Sequence, residues 1–377
     1  MEVIKTLPAI FEEFGEQRRN SFMTAYETKQ KNIPFVGTFC TYTPTEVIMA
    51  AGAIPVGLCS FSDETIADAE QDLPRNLCPL VKSSYGFAKT QKCPYFYFSD
   101  LIIGETTCDG KKKMYELLGE IKDTHIMELP NRQSPMGRKL WKEEVIALKE
   151  KLEEKFGVTI TEEKLREQVK LSNENRLALR HFYELMKLDP PPMAGLNLYS
   201  VLYGSSFKFN RRQAIDEVKA LTERIQKEYD EGSRPIAKRP RILVTGCPIG
   251  GNAMKVVKSI EENGGNVVCF ENCSGAKSVD ELIDESNPDI YQAIADRYLN
   301  IGCSCMTPDD NRFKLMERLL DEYKIDAVVE VILQACHTYN VESYYIKRFV
   351  TSKGLPYMCV ETDYSAGDIG QLNTRCA

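Results

Sequence analysis

Cysteine is the residue type in this sequence with the clearest capacity for chemistry. The 377 residues include 13 cysteines but only 3 histidines. The odd number of cysteines and the lack of a recognisable secretion signal argue against a disulfide framework. Thiolates are soft ligands, which favour iron–sulfur clusters or zinc over hard cations. We therefore predict that part of the cysteine set ligates a metal centre and that the rest packs in the core.

Seven of the cysteines lie where predicted strands end or predicted helices begin. They are Cys40, Cys78, Cys108, Cys273, Cys303, Cys305 and Cys336. Open parallel sheets bind ligands at the carboxyl ends of their strands. Core packing alone does not require so many cysteines at these positions. Zinc sites usually carry paired C-x2–4-C motifs, whereas the only close pair here is the C-x-C of Cys303 and Cys305. An iron–sulfur cluster needs no local spacing, because the fold supplies its geometry. For any one of these cysteines taken alone, packing is the simpler interpretation.

A glycine-containing turn after a predicted strand allows two interpretations. Gly246-Cys-Pro-Ile-Gly250-Gly251 precedes a predicted helix, and Glu271 ends the next strand, as in a dinucleotide-binding fingerprint. The glycine spacing differs from that fingerprint and Pro248 interrupts it, which favours a turn that lets strand and helix pack closely. The sequence contains no G-x-x-x-x-G-K-[ST] motif, so this chain does not bind ATP through a P-loop.

Eight short apolar runs predict the strands that position these residues. The runs are 36–40, 54–60, 100–105 and 125–129 in the first half, and 241–246, 266–271, 326–333 and 356–362 in the second. Several are almost continuously apolar, which is typical of parallel strands covered on both faces. Because a helical pattern follows each run, we predict an α/β fold with two doubly wound parallel-sheet domains, flavodoxin- or Rossmann-like.

A charged helical segment separates the two predicted sheets. Residues 139–187 have helical periodicity, and Gly157 marks a turn between two helices. A further amphipathic helix over 211–229 leads into a proline-containing, exposed linker at 232–240. We predict an N-terminal α/β domain over 1–136, a helical segment over 137–234 and a C-terminal α/β domain over 235–377, with the metal centre in the cleft between the α/β domains.

The charge balance excludes several partner classes. Lys plus Arg total 48 against 55 Asp plus Glu, so the formal charge is −7. A general nucleic-acid binder would show a basic balance. No apolar run approaches the roughly 18–20 residues that cross a bilayer, and Lys5 and Pro8 interrupt any signal-peptide pattern over 1–10. We therefore predict a cytoplasmic protein with neither nucleic-acid nor membrane partners.

Five short motifs resemble, in this order, the 2-hydroxyacyl-CoA dehydratase and benzoyl-CoA reductase family over nearly the whole chain. They are Gly37-Thr-Phe-Cys40-Thr-Tyr-Thr-Pro-Thr-Glu46, Leu73-Pro-Arg-Asn-Leu-Cys78-Pro-Leu, Thr107-Cys108-Asp-Gly-Lys-Lys, Glu271-Asn-Cys273-Ser-Gly275 and Gln334-Ala-Cys336-His-Thr-Tyr. Further segments resemble the double-cubane cluster proteins within that family. These are Gly246-Cys-Pro-Ile-Gly-Gly251, Ile301-Gly-Cys303-Ser-Cys305, and Glu361-Thr-Asp-Tyr364 with Gly370-Gln371-Leu372.

The resemblance implies a cofactor that composition does not show. Family members bind a four-iron cluster, [4Fe–4S], through three cysteines, and the double-cubane branch joins two cubanes into [8Fe–9S] and so needs about three more. The first three ligands match Cys78, Cys108 and Cys336, and the further three are assigned to Cys40, Cys273 and Cys303. Cys305 is the substitute for Cys303.

The resemblance also implies a reductase that works with partners. A separate ATP-hydrolysing activator with its own iron–sulfur cluster would deliver low-potential electrons, and the chain would form a homodimer and reduce a small-molecule substrate. The lack of a P-loop agrees with ATP being hydrolysed by the activator. His337, Glu271 or the hydroxyl of Ser83 would supply protons.

Three other functions are consistent with the cysteine pattern. A subunit of a 2-hydroxyacyl-CoA dehydratase would carry a single [4Fe–4S] cluster on three thiolates and a pocket of acyl-CoA size. An electron carrier or scaffold would be reduced reversibly without turning over a substrate. A structural zinc protein would contain no iron, so metal analysis separates the last function from the others.

Overall fold

The computed structural model of the chain describes residues 7–377, in which eight strands form two sheets. The strands are β1 (Phe35–Thr38), β2 (Ile54–Gly57), β3 (Leu101–Glu105), β4 (Thr124–Met127), β5 (Arg241–Gly246), β6 (Asn266–Phe270), β7 (Ala327–Leu333) and β8 (Tyr357–Thr362). Each predicted run overlaps one of them, although β1 and β4 begin one residue before their runs. Several predicted runs extend beyond the observed strand, because apolar character continues into the loop that follows.

Sixteen helices surround these sheets in the described residues. They are α1 (Glu16–Gln30), α2 (Thr45–Ala50), α3 (Ile66–Ala69), α4 (Pro79–Lys89), α5 (Pro94–Phe98), α6 (Asp109–Ile121), α7 (Pro135–Phe156), α8 (Glu162–Glu184), α9 (Gly195–Ser205), α10 (Arg211–Asp230), α11 (Lys255–Glu262), α12 (Ala276–Val279), α13 (Ile290–Leu299), α14 (Asp310–Glu322), α15 (His337–Ser352) and α16 (Ile369–Cys376). Short 3₁₀ helices occupy Phe11–Glu13, Leu185–Lys187 and Gly251–Met254.

Both sheets are parallel throughout and share one topology. The strand orders are β2-β1-β3-β4 and β6-β5-β7-β8. All residues of β1, β3, β5 and β6 are buried, as expected for parallel strands covered on both faces. The predicted α/β class with two doubly wound parallel sheets is confirmed. In each sheet the connections that leave the two central strands lead to opposite edges of the sheet. This arrangement creates a switch point between the central strands, where ligands commonly bind.

The two long helices of the middle segment meet at the predicted turn at Gly157, although α7 begins at Pro135, before the predicted start at 139. The hydroxyl of Ser134 accepts the Gly137 N–H at the start of α7, and that of Thr161 accepts the Lys164 N–H at the start of α8. Gly157 ends α7 with a left-handed φ of 64°, a conformation that glycine adopts without steric cost. The apolar stripe of α7 is fully buried and consists of Trp141, Val145, Leu148 and Leu152.

The middle helices complete the cores of both sheets. Trp141 of α7 packs with Tyr298 of α13 and Val36 of β1 in one core, whereas Phe182 of α8 packs with Val268 of β6 in another. Because α13 comes from the predicted third segment yet contributes to the first core, the division into 1–136, 137–234 and 235–377 stays a prediction. The prediction that residues 1–10 are not a signal peptide falls partly on residues 1–6, which lie outside the described residues.

A close backbone contact joins the two α/β halves at the turn after β5. A Cβ atom at Gly251, which has a φ of 45°, would lie 2.5 Å from the Phe61 carbonyl oxygen. The next residue, Asn252, donates its backbone N–H to the same oxygen at 3.0 Å. The glycines of this turn therefore permit close packing between the halves. Across residues 7–377, no helix is both long and apolar enough to span a membrane.

Candidate functional site

Cysteines occupy equivalent strand ends at the two switch points. Cys40 lies two residues after β1, and Cys247 directly follows β5, the corresponding strand of the second sheet. Cys108 and Cys336 each lie three residues after the neighbouring central strand, β3 or β7. The repeated topology therefore places thiols where the parallel sheets are open to a ligand.

Three of the predicted ligands share one local position, the N-cap of a helix. Cys78 caps α4, Cys108 caps α6 and Cys336 caps α15. The free N–H groups and the positive end of the helix dipole stabilise a thiolate there. The position alone is not specific, since Cys93 also caps a helix and its thiol accepts the Phe96 N–H at 3.4 Å.

The first group of thiols spans the boundary between the α/β halves, and we call it the Cys336 group: Cys78, Cys247 and Cys336. The thiols of Cys247 and Cys78 hydrogen-bond to Cys336 and lower its pKa to about 3. Ala335 adopts a left-handed φ of 56°, which costs a non-glycine residue about 1–2 kcal/mol, and turns the chain from β7 into α15 at Cys336. The structure thus brings Cys78 and Cys336 together, as the family resemblance implies.

Cys108 lies on the helix beside this group. A Cβ atom at Gly110, two residues further along, would lie 3.0 Å from Cδ1 of Leu77, the neighbour of Cys78. The starts of α4 and α6 therefore pack against each other, and their N-cap cysteines lie on adjacent helix ends.

Cys247 is a member of the Cys336 group that the sequence analysis does not select. Its side chain is buried, and its sulfur accepts the Leu333 N–H at 3.3 Å. Its position directly after a predicted strand is the signal that could have identified it. The glycine before it has a φ of 104°, and a Cβ there would lie 2.2 Å from the Val331 carbonyl oxygen, so only glycine fits.

The second group of thiols, the Cys40 group, comprises Cys40, Cys273, Cys303 and Cys305. The Cys305 thiol donates a hydrogen bond that lowers the pKa of Cys303 well below its ordinary value, and Lys277 lowers it further. Burial raises the pKa of Cys40, and the charges of Cys273 and Cys303 add to this rise. Both members of the C-x-C pair therefore lie in this group, so the choice between Cys303 and Cys305 stays open.

A hydrogen bond fixes the Cys40 group across the same boundary. Tyr42, two residues after Cys40, donates its hydroxyl to the Ile301 carbonyl at 2.7 Å, two residues before Cys303. Within residues 7–377, no set of three or more His, Cys, Asp or Glu side chains is arranged around one metal ion. Within each group the thiols are thus neighbours, but they do not converge on a single point.

Glu271 is held in a buried ion-pair network. Its carboxylate lies 3.0 Å from Lys277 Nζ and 3.4 Å from Arg312 Nε, and the Thr245 hydroxyl donates to it at 2.6 Å. Burial opposes ionisation, but Lys277 and Arg312 outweigh it and lower the pKa of Glu271. This environment favours the carboxylate, which accepts rather than donates a proton.

The other two predicted proton donors, His337 and Ser83, lie in helices. His337 is the exposed first residue of α15, beside Cys336. Ser83 is buried in α4, and its hydroxyl accepts the Ser62 N–H at 3.3 Å. Their roles, like that of Glu271, stay predictions.

Two buried charged residues near the Cys40 group are missed by the sequence analysis. Glu105 ends β3, and burial raises its pKa to about 7 although the Thr43 hydroxyl donates to it. Its Oε2 atom has no hydrogen-bond partner among the described residues. Lys111 turns inward and donates to the Phe39 carbonyl at 2.8 Å. A glutamate at the end of a predicted strand with an apolar centre is the signal that could have identified Glu105.

A cavity of about 330 Å³ lies between the two halves and the middle helices. Cys40 and Cys273 line one wall, and Arg176 of α8 and Arg211 of α10 line another. The cavity therefore connects part of the Cys40 group with the helical segment, and it lies at the small end of the roughly 300–1,000 Å³ range of ligand pockets.

Comparison with known proteins places these features in a family. Residues 40–377 match the family described as 2-hydroxyglutaryl-CoA dehydratase, D-component. A candidate dehydratase subunit of Escherichia coli (strain K12), YjiM, is 54% identical over 100% of this chain and 98% of its own length. The (R)-phenyllactyl-CoA dehydratase beta subunit of Clostridium sporogenes is 25% identical over 97% of this chain and 95% of its own. A benzoyl-CoA reductase component of Thauera aromatica is 24% identical over 95% of this chain and 91% of its own. These matches confirm the resemblance drawn from the cysteine motifs, and the chain belongs to the 2-hydroxyglutaryl-CoA dehydratase D-component family.

Proposed function

We propose that this chain is the iron–sulfur reductase component of a two-component cytoplasmic system. It accepts low-potential electrons from a separate ATP-hydrolysing iron–sulfur activator and reduces a small substrate at a double-cubane [8Fe–9S] cluster. The observation that carries this proposal is the pair of thiol groups. Each group joins one cysteine of the first half, Cys78 or Cys40, to at least two of the second half. The seven thiols of the two groups exceed the three that bind one cubane in members of this family.

The donor set fits such a cluster. Every member of the two groups is a cysteine, and the ligated irons of a cubane each take a separate thiolate, so the ligands need not converge on one point. We assign the six ligands to Cys40, Cys78, Cys108, Cys273, Cys303 and Cys336, with Cys305 as the substitute for Cys303 and Cys247 as a further candidate. When bound, the cluster supplies single electrons at potentials that reach roughly −700 mV.

The protein's own residues hold and shield this site. The helix N-termini at Cys78, Cys108 and Cys336 stabilise the thiolates. The packing of Gly251 against Phe61 and the Tyr42 hydrogen bond close the boundary between the halves around the thiols. The cavity beside Cys40 and Cys273 gives a small substrate access to one wall of the site.

The surface of α15 supports a protein partner near the cluster. This helix begins at the Cys336 N-cap, and Val341, Tyr344 and Tyr345 expose 72%, 61% and 57% of their surface. Exposed large apolar side chains on one short segment favour contact with another protein. We propose that the activator or the second copy of the chain in a homodimer covers this helix.

The alternative function is that of a 2-hydroxyacyl-CoA dehydratase subunit with a single [4Fe–4S] cluster. The name of one relative, the (R)-phenyllactyl-CoA dehydratase beta subunit, supports this alternative. One observation counts against it here: seven thiols occupy the two groups where three suffice for a single cubane.

Metal analysis tests the proposal directly. We expect about eight irons and a similar number of acid-labile sulfides per chain in anaerobically purified protein, with an EPR signal on reduction. About four irons would support the dehydratase, and zinc or no metal would contradict both functions. With about eight irons present, reduction of small unsaturated substrates must depend on both activator and ATP. An iron-loaded protein that is reduced reversibly but turns over no substrate would be an electron carrier.

A further inference from the structure

The lining of the cavity beside the Cys40 group has an excess of positive charge. Four cationic side chains line it, and no Asp or Glu is among its lining residues in the described part of the chain. The four are Lys111, Arg176, Arg211 and Arg297. Because a desolvated cation is costly without a partner, the charge requires an anion or another specific use.

Among the described residues, only one of these cations, Arg176, forms a direct ion pair with a carboxylate. Glu46 accepts a hydrogen bond from Arg176 at 2.5 Å on Oε1 and one from the Tyr298 hydroxyl at 2.8 Å on Oε2. Both oxygens of this buried carboxylate are therefore already used, and Glu46 acts on Arg211 and Arg297 only through charge attraction at longer range.

Arg211 is the cation of this cavity with the most unused donors among the described residues. It is half-buried, and among the described residues its only hydrogen bond is a long one, 3.5 Å, from Nη1 to the Ser205 carbonyl. Arg297, by contrast, donates hydrogen bonds to the backbone carbonyls of Glu281 and Ser278 at 3.2 and 2.8 Å. Arg211 is also the first residue of α10, where the helix end adds partial positive charge. Most of its five N–H donors are thus free to bind a ligand.

We propose that this cavity binds a small carboxylate-bearing molecule, with the carboxylate on the Arg211 guanidinium and the opposite end directed toward Cys40 and Cys273. This inference deepens the proposed function and rests on it, because it names the chemical class of the substrate. The planar fork of a guanidinium binds a carboxylate through two parallel hydrogen bonds. A volume of about 330 Å³ corresponds to about ten water-sized groups at ~30 Å³ each, which admits a short-chain acid.

The positive charge has one competing use. It could offset the negative charge of a cluster held by the Cys40 group, and the cavity would then have no affinity for an added anion. A binding measurement distinguishes the two uses.

The experiment measures binding of crotonate and of its neutral isostere crotonamide to the oxidised holoprotein by calorimetry. We expect crotonate to bind at least about tenfold more tightly than crotonamide. Arg211→Gln lowers the affinity for crotonate about tenfold and leaves crotonamide unchanged. The matched control is Arg212→Gln, which removes the adjacent, exposed arginine paired with Glu174 and leaves both affinities unchanged.

Three results would overturn the inference: no binding of crotonate, equal binding of the two compounds, or equal crotonate affinity in wild type and Arg211→Gln. If the Arg211 variant fails to fold, the comparison of the two compounds on the wild type still decides. Iron measured on the same samples separates this inference from the proposed function. Protein that lacks iron but binds crotonate contradicts only the proposed function. Iron-loaded protein that does not bind crotonate contradicts only this inference.

Discussion

Cys78 and Cys336 lie beside each other across the boundary between the two α/β halves, each as the N-cap of a helix, and Cys78 contributes to the lowered pKa of Cys336. Neither half alone can form this contact. The site therefore depends on how the halves are held together, and residues at their boundary control it as much as the cysteines themselves.

Replacement of Cys247 tests whether the Cys336 group extends to this buried thiol. We expect Cys247→Ser to lose about half of the wild-type iron, since one of two cubanes loses a ligand. The control is Cys269→Ser, because Cys269 is equally buried but lies within β6 and only accepts a hydrogen bond from Tyr183 at 3.1 Å. Iron and sulfide analysis of both variants decides, and unchanged iron in Cys247→Ser would remove it from the ligand set.

Arg312 compensates buried carboxylates, and its removal tests the network around Glu271. Its guanidinium, fully buried, lies 3.4 Å from Glu271 and 3.3 Å from Glu330, and also pairs with Glu342. We expect Arg312→Met to lower the free energy of unfolding by about 3–5 kcal/mol, because it leaves buried carboxylates unpaired.

The control for Arg312 comes from the same helix. Arg318 is more exposed and pairs with Asp280 and Glu322, so Arg318→Met costs less than about 1 kcal/mol. Urea unfolding of the two variants measures both values, and equal losses would contradict the role of Arg312.

His125 makes stability depend on pH in the mildly acidic range. Burial, and then Lys151, lower the pKa of this β4 residue, and its Nε2 has no hydrogen-bond partner among the described residues. The unfolded chain, with a histidine pKa near 6.5, therefore binds more protons than the native state below that pH. We expect the free energy of unfolding to fall as the pH drops below about 6.5.

Denaturant unfolding between neutral and mildly acidic pH checks this dependence. His125→Gln should show a smaller fall than the wild type, whereas replacement of the exposed His181 in α8 should keep the wild-type response. A fall of the same size in His125→Gln would assign the pH dependence to other groups.

The sequence predicts the strands well and the charged part of the site poorly, for physical reasons. Apolar runs such as that of β7 identify buried parallel strands directly, and cysteines after them follow from strand-end placement. By contrast, Arg211 and Arg212 are adjacent and identical in type, and only packing shows that one lines the cavity while the other pairs on the surface. Likewise Lys111 belongs to a basic run, and only the structure turns it inward to Phe39.

Gly251 tests the dependence of the site on the boundary between the halves. An alanine Cβ there would lie 2.5 Å from the Phe61 carbonyl oxygen and would also strain a backbone with a φ of 45°. Gly264 is the matched control, because it has a φ of 98° but no atom within 4 Å of an added Cβ. We expect Gly264→Ala to cost about 1–2 kcal/mol from the backbone alone, and Gly251→Ala to cost a further ~1–3 kcal/mol from overpacking.

The two glycine variants also differ in what they do to the thiols. Gly251→Ala pushes Phe61 away and separates the halves near β5, so the Cys78–Cys336 contact widens and iron content falls below that of Gly264→Ala. Urea unfolding and iron analysis of the two variants provide both readouts. If Gly251→Ala loses stability but keeps full iron, the thiol groups tolerate movement of the halves, and the closed boundary serves folding rather than the site.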